Sequence, residues 1–136
     1  MRVLALDYGS ARCGVAVSDP TGVLATPLEP VLRPAARDGR RRLLALVSEL
    51  GVERVIVGLP LSLSGADSAQ TREARRFAAG LARGLDGIPV ELYDERFTTA
   101  LARRDLTAGG ASPRSSEDSR AAAHLLSGWL EQHARH

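Results

Sequence analysis

The sequence contains no lysine and no asparagine, and a single cysteine, methionine and tryptophan among 136 residues. The lone Cys13 rules out an internal disulfide and suits a reducing compartment. Set in an apolar, strand-like stretch, it reads as a small buried hydrophobe. Without a Cys/His cluster, a zinc centre is not expected. No run approaches the roughly 18 apolar residues of a membrane span, and Asp7 interrupts the N-terminal apolar stretch too early for a secretory leader. A cytoplasmic location without a membrane partner is therefore expected. Also missing are a GxxxxGK[ST] phosphate loop, a Ser-His-Asp or Cys-His arrangement, an internal repeat, a low-complexity tract and a linker. With 44% hydrophobic and 25% charged residues, the chain suits a single domain over 1–136 with a true core.

What is present is arginine, which supplies all 18 basic residues against 16 acids, for a net charge of +2. Three clusters stand out: Arg40-Arg41-Arg42, Arg72-Arg75-Arg76 and Arg103-Arg104. Each could meet phosphates, but a solvated helix face is the commoner explanation for any one of them.

Residues 2–7 and 13–17 predict two strands joined by the turn at 9–12. A third strand over 26–32 is confined to an edge or an irregular course by Pro27 and Pro30. Leu43, Val47 and Leu50 recur at helical spacing over 38–50, and Gly51 is the stop signal. ERVIVGLP predicts a strand buried on both faces. Thr71, Ala74, Ala78, Leu81 and Leu85 mark one face of a second helix. IPVELYD is another strand, TTALARRDL a short helix and GGASPRSS a link, and a last helix runs from Ser115 or Ser116 to about His133. The expected order is β-β-β-α-β-α-β-α-α. That is an α/β fold with a mixed central sheet of about five strands flanked by helices.

Acids stand at the ends of three elements, and at the tip of a buried strand a charge is expensive unless it is solvated, paired or bound to metal. Asp7 ends an apolar strand whose Val3, Ala5 and Asp7 share a face; an Asx-turn into Gly9 is the structural alternative. Asp94 and Glu95 close another strand, and alternation puts only one of them on a given side. An ion pair with Arg96 is the alternative there. Asp118 heads a stripe with Ala122, Leu125 and Trp129 at spacings of four, three and four, the face that packs on the sheet. A capping box from Ser115 competes with that reading, although Glu117 can serve the helix dipole instead. Two carboxylates about 5 Å apart at an effective dielectric near 20 repel by roughly 3 kcal/mol. A divalent cation removes that repulsion, and an oxygen-only donor set suits magnesium or manganese. Such a site points to phosphodiester hydrolysis. His124, His133 and His136 have no partner motif and are expected at the surface.

The segments LALDYGSARCGVAVSD (4–19), VIVGLPLSLSG (55–65), VELYDERFTTALA (90–102) and DSRAAAHLLSGWL (118–130) resemble the YqgF (RuvX) family, relatives of the RuvC resolvases, over essentially the whole chain. The opening DxGxxRxGxAxSD and the DERxTT after a strand are the specific parts. The resemblance implies an RNase H-like nuclease, with Asp7, Glu95 and Asp118 as catalytic and metal-holding acids and Asp94 as the alternate. It implies Mg2+ or Mn2+, two ions once substrate is bound. Arg12, Arg96, Thr98 and Thr99 become candidate substrate contacts. Gly9, Arg12 and Gly14 shape the first turn, while Gly58, Pro60 and Gly65 belong to a loop along which substrate passes. Arg120 departs from the pattern, standing where relatives often carry an apolar residue. The implied substrate is nucleic acid: structured RNA, namely precursor 16S rRNA trimmed near its 5′ end in ribosome biogenesis, or branched DNA such as a Holliday junction. The protein would act as a monomer or homodimer. Two rivals remain: a non-catalytic nucleic-acid-binding or ribosome-assembly module, and an actin-like ATPase, for which 136 residues hold one domain where two are needed.

Overall fold

The computed structural model describes residues 1–60, 68–95 and 117–133. Five strands are present: β1 (Val3–Asp7), β2 (Arg12–Ser18), β3 (Ala25–Leu32), β4 (Arg54–Leu59) and β5 (Val90–Asp94). They form one sheet in the order β3-β2-β1-β4-β5. The β1–β2 and β2–β3 pairs are antiparallel, and β1–β4 and β4–β5 are parallel. The described helices are α1 (Arg37–Glu49), α2 (Ala69–Gly84) and α3 (Glu117–His133). None is long and apolar enough to cross a membrane. The expected TTALARRDL helix, the GGASPRSS link and the Ser115 cap lie outside the described residues.

Strand alternation sorts the core into two layers. Leu4 and Leu6 of β1, Cys13, Val15 and Val17 of β2, and Val55 and Val57 of β4 pack with Leu43 and Val47 of α1 and with Phe77, Ala78 and Leu81 of α2. Val3, Ala5, Ala16, Ile56 and Tyr93 pack on the opposite face against Ala122, Leu125, Leu126 and Trp129 of α3. Because β1 and β4 are central and covered on both faces, they read as nearly unbroken apolar runs. Cys13 is fully buried, and burial pushes its thiol above the ordinary range.

β3 is the edge strand that its prolines demand. Its register slips where Glu29 and Pro30 stand opposite Gly14, between the pairs Cys13↔Val31 and Val15↔Leu28. A bulge accommodates the residue that has no N–H to give. Ser18 and Asp19 of the opening motif serve structure. The Ser18 hydroxyl accepts a hydrogen bond from Val3 N at 2.7 Å. The Asp19 carboxylate accepts from Val23 N and Leu24 N, each at 2.8 Å, and from the Thr21 hydroxyl, closing the β2–β3 loop. These bonds hold its pKa below the usual carboxylate range.

One histidine expectation changes: His124 is half-buried on α3. His133 is exposed, as expected, and stacks on Trp129 with ring centroids 3.8 Å apart. Trp129 also donates to Glu91 at 3.2 Å, and Glu91 pairs with Arg54 at 3.3 Å. This network ties the C-terminal half of α3 to β4 and β5. Arg120 is exposed, so its charge does not disturb the helix.

The candidate active site

Because β1, β4 and β5 run parallel, their C-terminal ends meet at one edge of the sheet. Asp7 continues the Val3, Ala5 alternation and points to the α3 face. On β5, Glu91 bonds Trp129 and Tyr93 packs in the α3 layer. Two residues further on, Glu95 therefore faces α3 as well. Asp94 alternates with Val90, which packs in the layer of α1 and α2. Glu95, not Asp94, therefore lies on the same face as Asp7, its Oε1 close to Gly58 of β4.

Asp7 ends β1 and Glu95 directly follows β5, with β4 between them, and Gly58 lets them meet. A Cβ at Gly58 would lie 2.9 Å from Glu95 Oε1 and 3.0 Å from Leu125 Cδ2. The glycine thus clears the floor over which the glutamate reaches toward β1. The carboxyl groups of Asp7 and Glu95 are hydrogen-bonded to one another, which requires a shared proton. Burial, that bond and the charges of Glu95 and Asp118 push the Asp7 pKa up to about 8.

Asp118 arrives from the other side of the site. The backbone of α3 lies directly on β2 at Gly14, where a Cβ would overlap the Asp118 carbonyl and sit 2.9 Å from Ser119 N. The buried Ser119 hydroxyl accepts a hydrogen bond from Val15 N at 3.2 Å, pinning the first turn of the helix. Gly14 consequently does not shape the first turn. It lies within β2, opposite Asp7, and its absent side chain is the seat of α3. The turn depends on Gly9, where a Cβ would come within 2.6 Å of the Arg12 carbonyl.

In this arrangement the Asp118 carboxylate pairs with Arg12, Nε to Oδ2 at 3.7 Å. Among the described residues no three His, Cys, Asp or Glu side chains stand ready at metal-ligating geometry. Asp7 and Glu95 are joined, and Asp118 acts on Asp7 through its charge. An exposed ion pair is worth about 0–1 kcal/mol, so little holds Asp118 to Arg12. Pro60 ends the β4 segment, and its carbonyl accepts from the buried Thr71 hydroxyl at 2.8 Å. This bond sets the start of α2 beside the same edge. Gly65, Arg96, Thr98 and Thr99 lie outside the described residues. Sequence reasoning missed Ser119; its signal was a small polar residue on the sheet-facing side of an otherwise apolar stripe.

The donor set fits a hard divalent cation. It consists of carboxylate oxygens only, and burial together with its acidic neighbours raises the pKa of one of them, Asp7.

Comparison with known proteins follows the same lines. Residues 1–132 match the family model described as "RuvX: Holliday junction resolvase". A protein of Rhodococcus erythropolis named "Putative pre-16S rRNA nuclease" is 44% identical over 98% of this chain and 80% of its own length. A protein of the same name from Mycolicibacterium paratuberculosis is 45% identical over 96% of this chain and 80% of its own. Among solved structures, Thermus thermophilus RuvC bound to a Holliday junction superposes with a TM-score of 0.66 at 18% identity, covering 98% of this chain and 96% of that one. The Fowlpox virus resolvase in complex with junction DNA gives 0.61 at 11% identity, covering 98% and 99%. These likenesses establish the fold as RuvC-like, of the RNase H type, as expected. With both family match and relatives spanning nearly its whole length, the chain belongs to the RuvX family.

Proposed function

We propose that this protein is a metal-dependent nuclease that cuts the phosphodiester backbone of precursor 16S rRNA, with Asp7, Glu95 and Asp118 as its catalytic acids. The observation that carries the reading is the meeting of the Asp7 and Glu95 carboxyls over Gly58, within electrostatic reach of Asp118. The rRNA substrate is taken from the names of relatives 44–45% identical to this chain. The three acids would hold magnesium or manganese, two ions once substrate is bound, which supply activation of water and neutralise charge on the leaving oxygen.

The chain's own groups do the rest. Asp7, Glu95 and Asp118 would hold the ion as carboxylates, so Asp7 would be needed without its proton and Asp118 without Arg12, whose exposed pair with it is worth little. Arg12 would then meet a phosphate oxygen. The apolar wall of Leu125 and Ile56, both buried, keeps bulk water from the floor. Arg96, Thr98 and Thr99 complete the proposed phosphate contacts.

The family description and the RuvC likeness favour a second substrate, the four-way DNA junction. A labelled precursor 16S rRNA fragment and a synthetic junction, incubated with the protein and manganese, magnesium or chelator, separate the two. Metal-dependent cutting of the RNA at a faster rate than the junction is expected. Faster junction cutting reassigns the substrate, and binding without cutting under any metal leaves only a binding module.

A further inference from the structure

The surface beyond the acids continues along the same edge of the sheet, and there we propose that Arg33 and Arg37 form a track for the nucleic-acid strand as it leaves the site. The identity of the strand rests on the nuclease reading above.

Arg33 follows the last residue of β3, and its backbone N–H donates to the Ala11 carbonyl at 2.9 Å, beside the β1–β2 turn. In the order β3-β2-β1, this places residue 33 two strands across from Asp7 and about three residues further along the strand, roughly 14 Å away at the usual spacings. Arg12 starts the strand between them and pairs with Leu32 in register. Positive charge therefore steps outward from the acids, first on β2 and then at the exit of β3.

The residue at 33 is an unusual choice. Among the described residues it is the one non-glycine with positive φ, at 47°, a conformation that glycine or asparagine adopts at lower cost. The backbone there is fixed from three sides. Its N–H is held by Ala11, its carbonyl accepts from Ala36 N at 3.0 Å, and Gly39 presses on that same carbonyl so closely that a Cβ would overlap it. The side chain itself is exposed, so packing does not explain an arginine. Strain retained at an exposed charged residue is a signature of use.

Arg33 and Arg37 border a shallow concavity with Leu32, Ala36, Asp38 and Gly39. Leu32 is 65% exposed, an apolar surface flanked by two guanidinium groups. That combination suits a nucleotide, with phosphate on the arginines and sugar or base on the leucine. Neither arginine forms an ion pair among the described residues, whereas Arg12, Arg42 and Arg54 do. The run Arg40-Arg41-Arg42 divides accordingly. The Arg40 guanidinium lies against Gly80, and Arg42 faces Glu49 at 3.9 Å. Exposed Arg41, one turn beyond Arg37, prolongs the line. Asp38 is the opposing charge in the concavity and weakens its hold on phosphate.

The test is fluorescence polarisation of a labelled precursor 16S rRNA fragment in chelator, where binding proceeds without cutting, across a range of salt. Arg33→Gly/Arg37→Gln is expected to lower affinity on the order of 10-fold and to flatten the slope of log affinity against log salt by about 1.4, two phosphates at about 0.7 each. Asp38→Asn is expected to tighten binding. Arg33→Gly alone should melt at or above the wild-type temperature, since glycine relieves the backbone. Arg33→Asn, also at ease in this conformation, repeats the binding measurement if the glycine variant is poorly folded. Affinity and salt slope equal to wild type in folded variants overturn the track. Cutting in manganese is read separately. A wild type that cuts, with variants that bind as well as it does, removes the track and leaves the nuclease. A wild type that never cuts, with variants that bind more weakly, does the reverse.

Discussion

Asp7→Asn is expected to lose more than about 100-fold in cutting rate and, in metal-free buffer at pH 8, to melt higher than the wild type. The first effect follows from removing a proposed direct ligand, since even outer partners of metal ligands commonly cost 10–100-fold. The second follows from the raised pKa of Asp7, about 8 in the folded protein against an ordinary 3.8. Between these values the folded chain holds a proton that the unfolded chain has released, so stability falls as pH climbs through that window. The contribution is fully present below about pH 4 and lost above about pH 8. Asparagine does not ionise, and its amide donates to Glu95 in place of the shared proton. The variant's advantage should therefore be absent near pH 4 and grow to a few kcal/mol at pH 8, a gain of roughly 5 °C or more. Manganese should raise the melting temperature of the wild type at pH 8 far more than that of the variant. A variant that melts lower than the wild type at pH 8 would show that burial of the Asp7 charge is not the strain described here.

Gly14→Ala is expected to be the most damaging single methyl in the described structure. Its Cβ would overlap the Asp118 carbonyl and crowd Ser119 N; both are backbone atoms, so no rotamer change relieves the clash. Either α3 lifts from β2 or the sheet bends, at about 3 kcal/mol or more. Lifting α3 also breaks the Ser119 bond to Val15 and withdraws Asp118 from the site. Gly58→Ala provides the contrast, because the atoms it meets are the ends of Glu95 and Leu125, which can move aside. Urea denaturation should rank the two variants in that order, with both impaired in cutting. Wild-type stability in Gly14→Ala would refute the direct seating of the helix on the strand.

The layers of this fold were legible because its strands keep a strict period of two. Val3, Ala5 and Asp7 were separable from Leu4 and Leu6 by sequence alone, and the structure places them on opposite cores. The Asp118, Ala122, Leu125, Trp129 stripe was visible for the equivalent reason in a helix. The choice between Asp94 and Glu95 was not visible. Alternation separates neighbours but does not say which face a distant helix will cover, and that information arrives only with the Glu91–Trp129 contact across 38 positions. Gly14 was misplaced because a glycine near a turn and a glycine under a helix look the same along the chain. The pairing of Asp118 with Arg12 and the strain at Arg33 depend on side chains and backbone settling after the sheet has formed, and neither leaves a periodic trace.

The central claim is that Asp7 and Glu95 form one site because both face α3. Single-turnover cutting of the precursor 16S rRNA fragment in manganese by Glu95→Gln and Asp94→Asn, side by side, tests it most directly. The account predicts a loss greater than about 100-fold for Glu95→Gln and a rate within a few-fold of wild type for Asp94→Asn. Loss of cutting in Asp94→Asn with Glu95→Gln still active would contradict it.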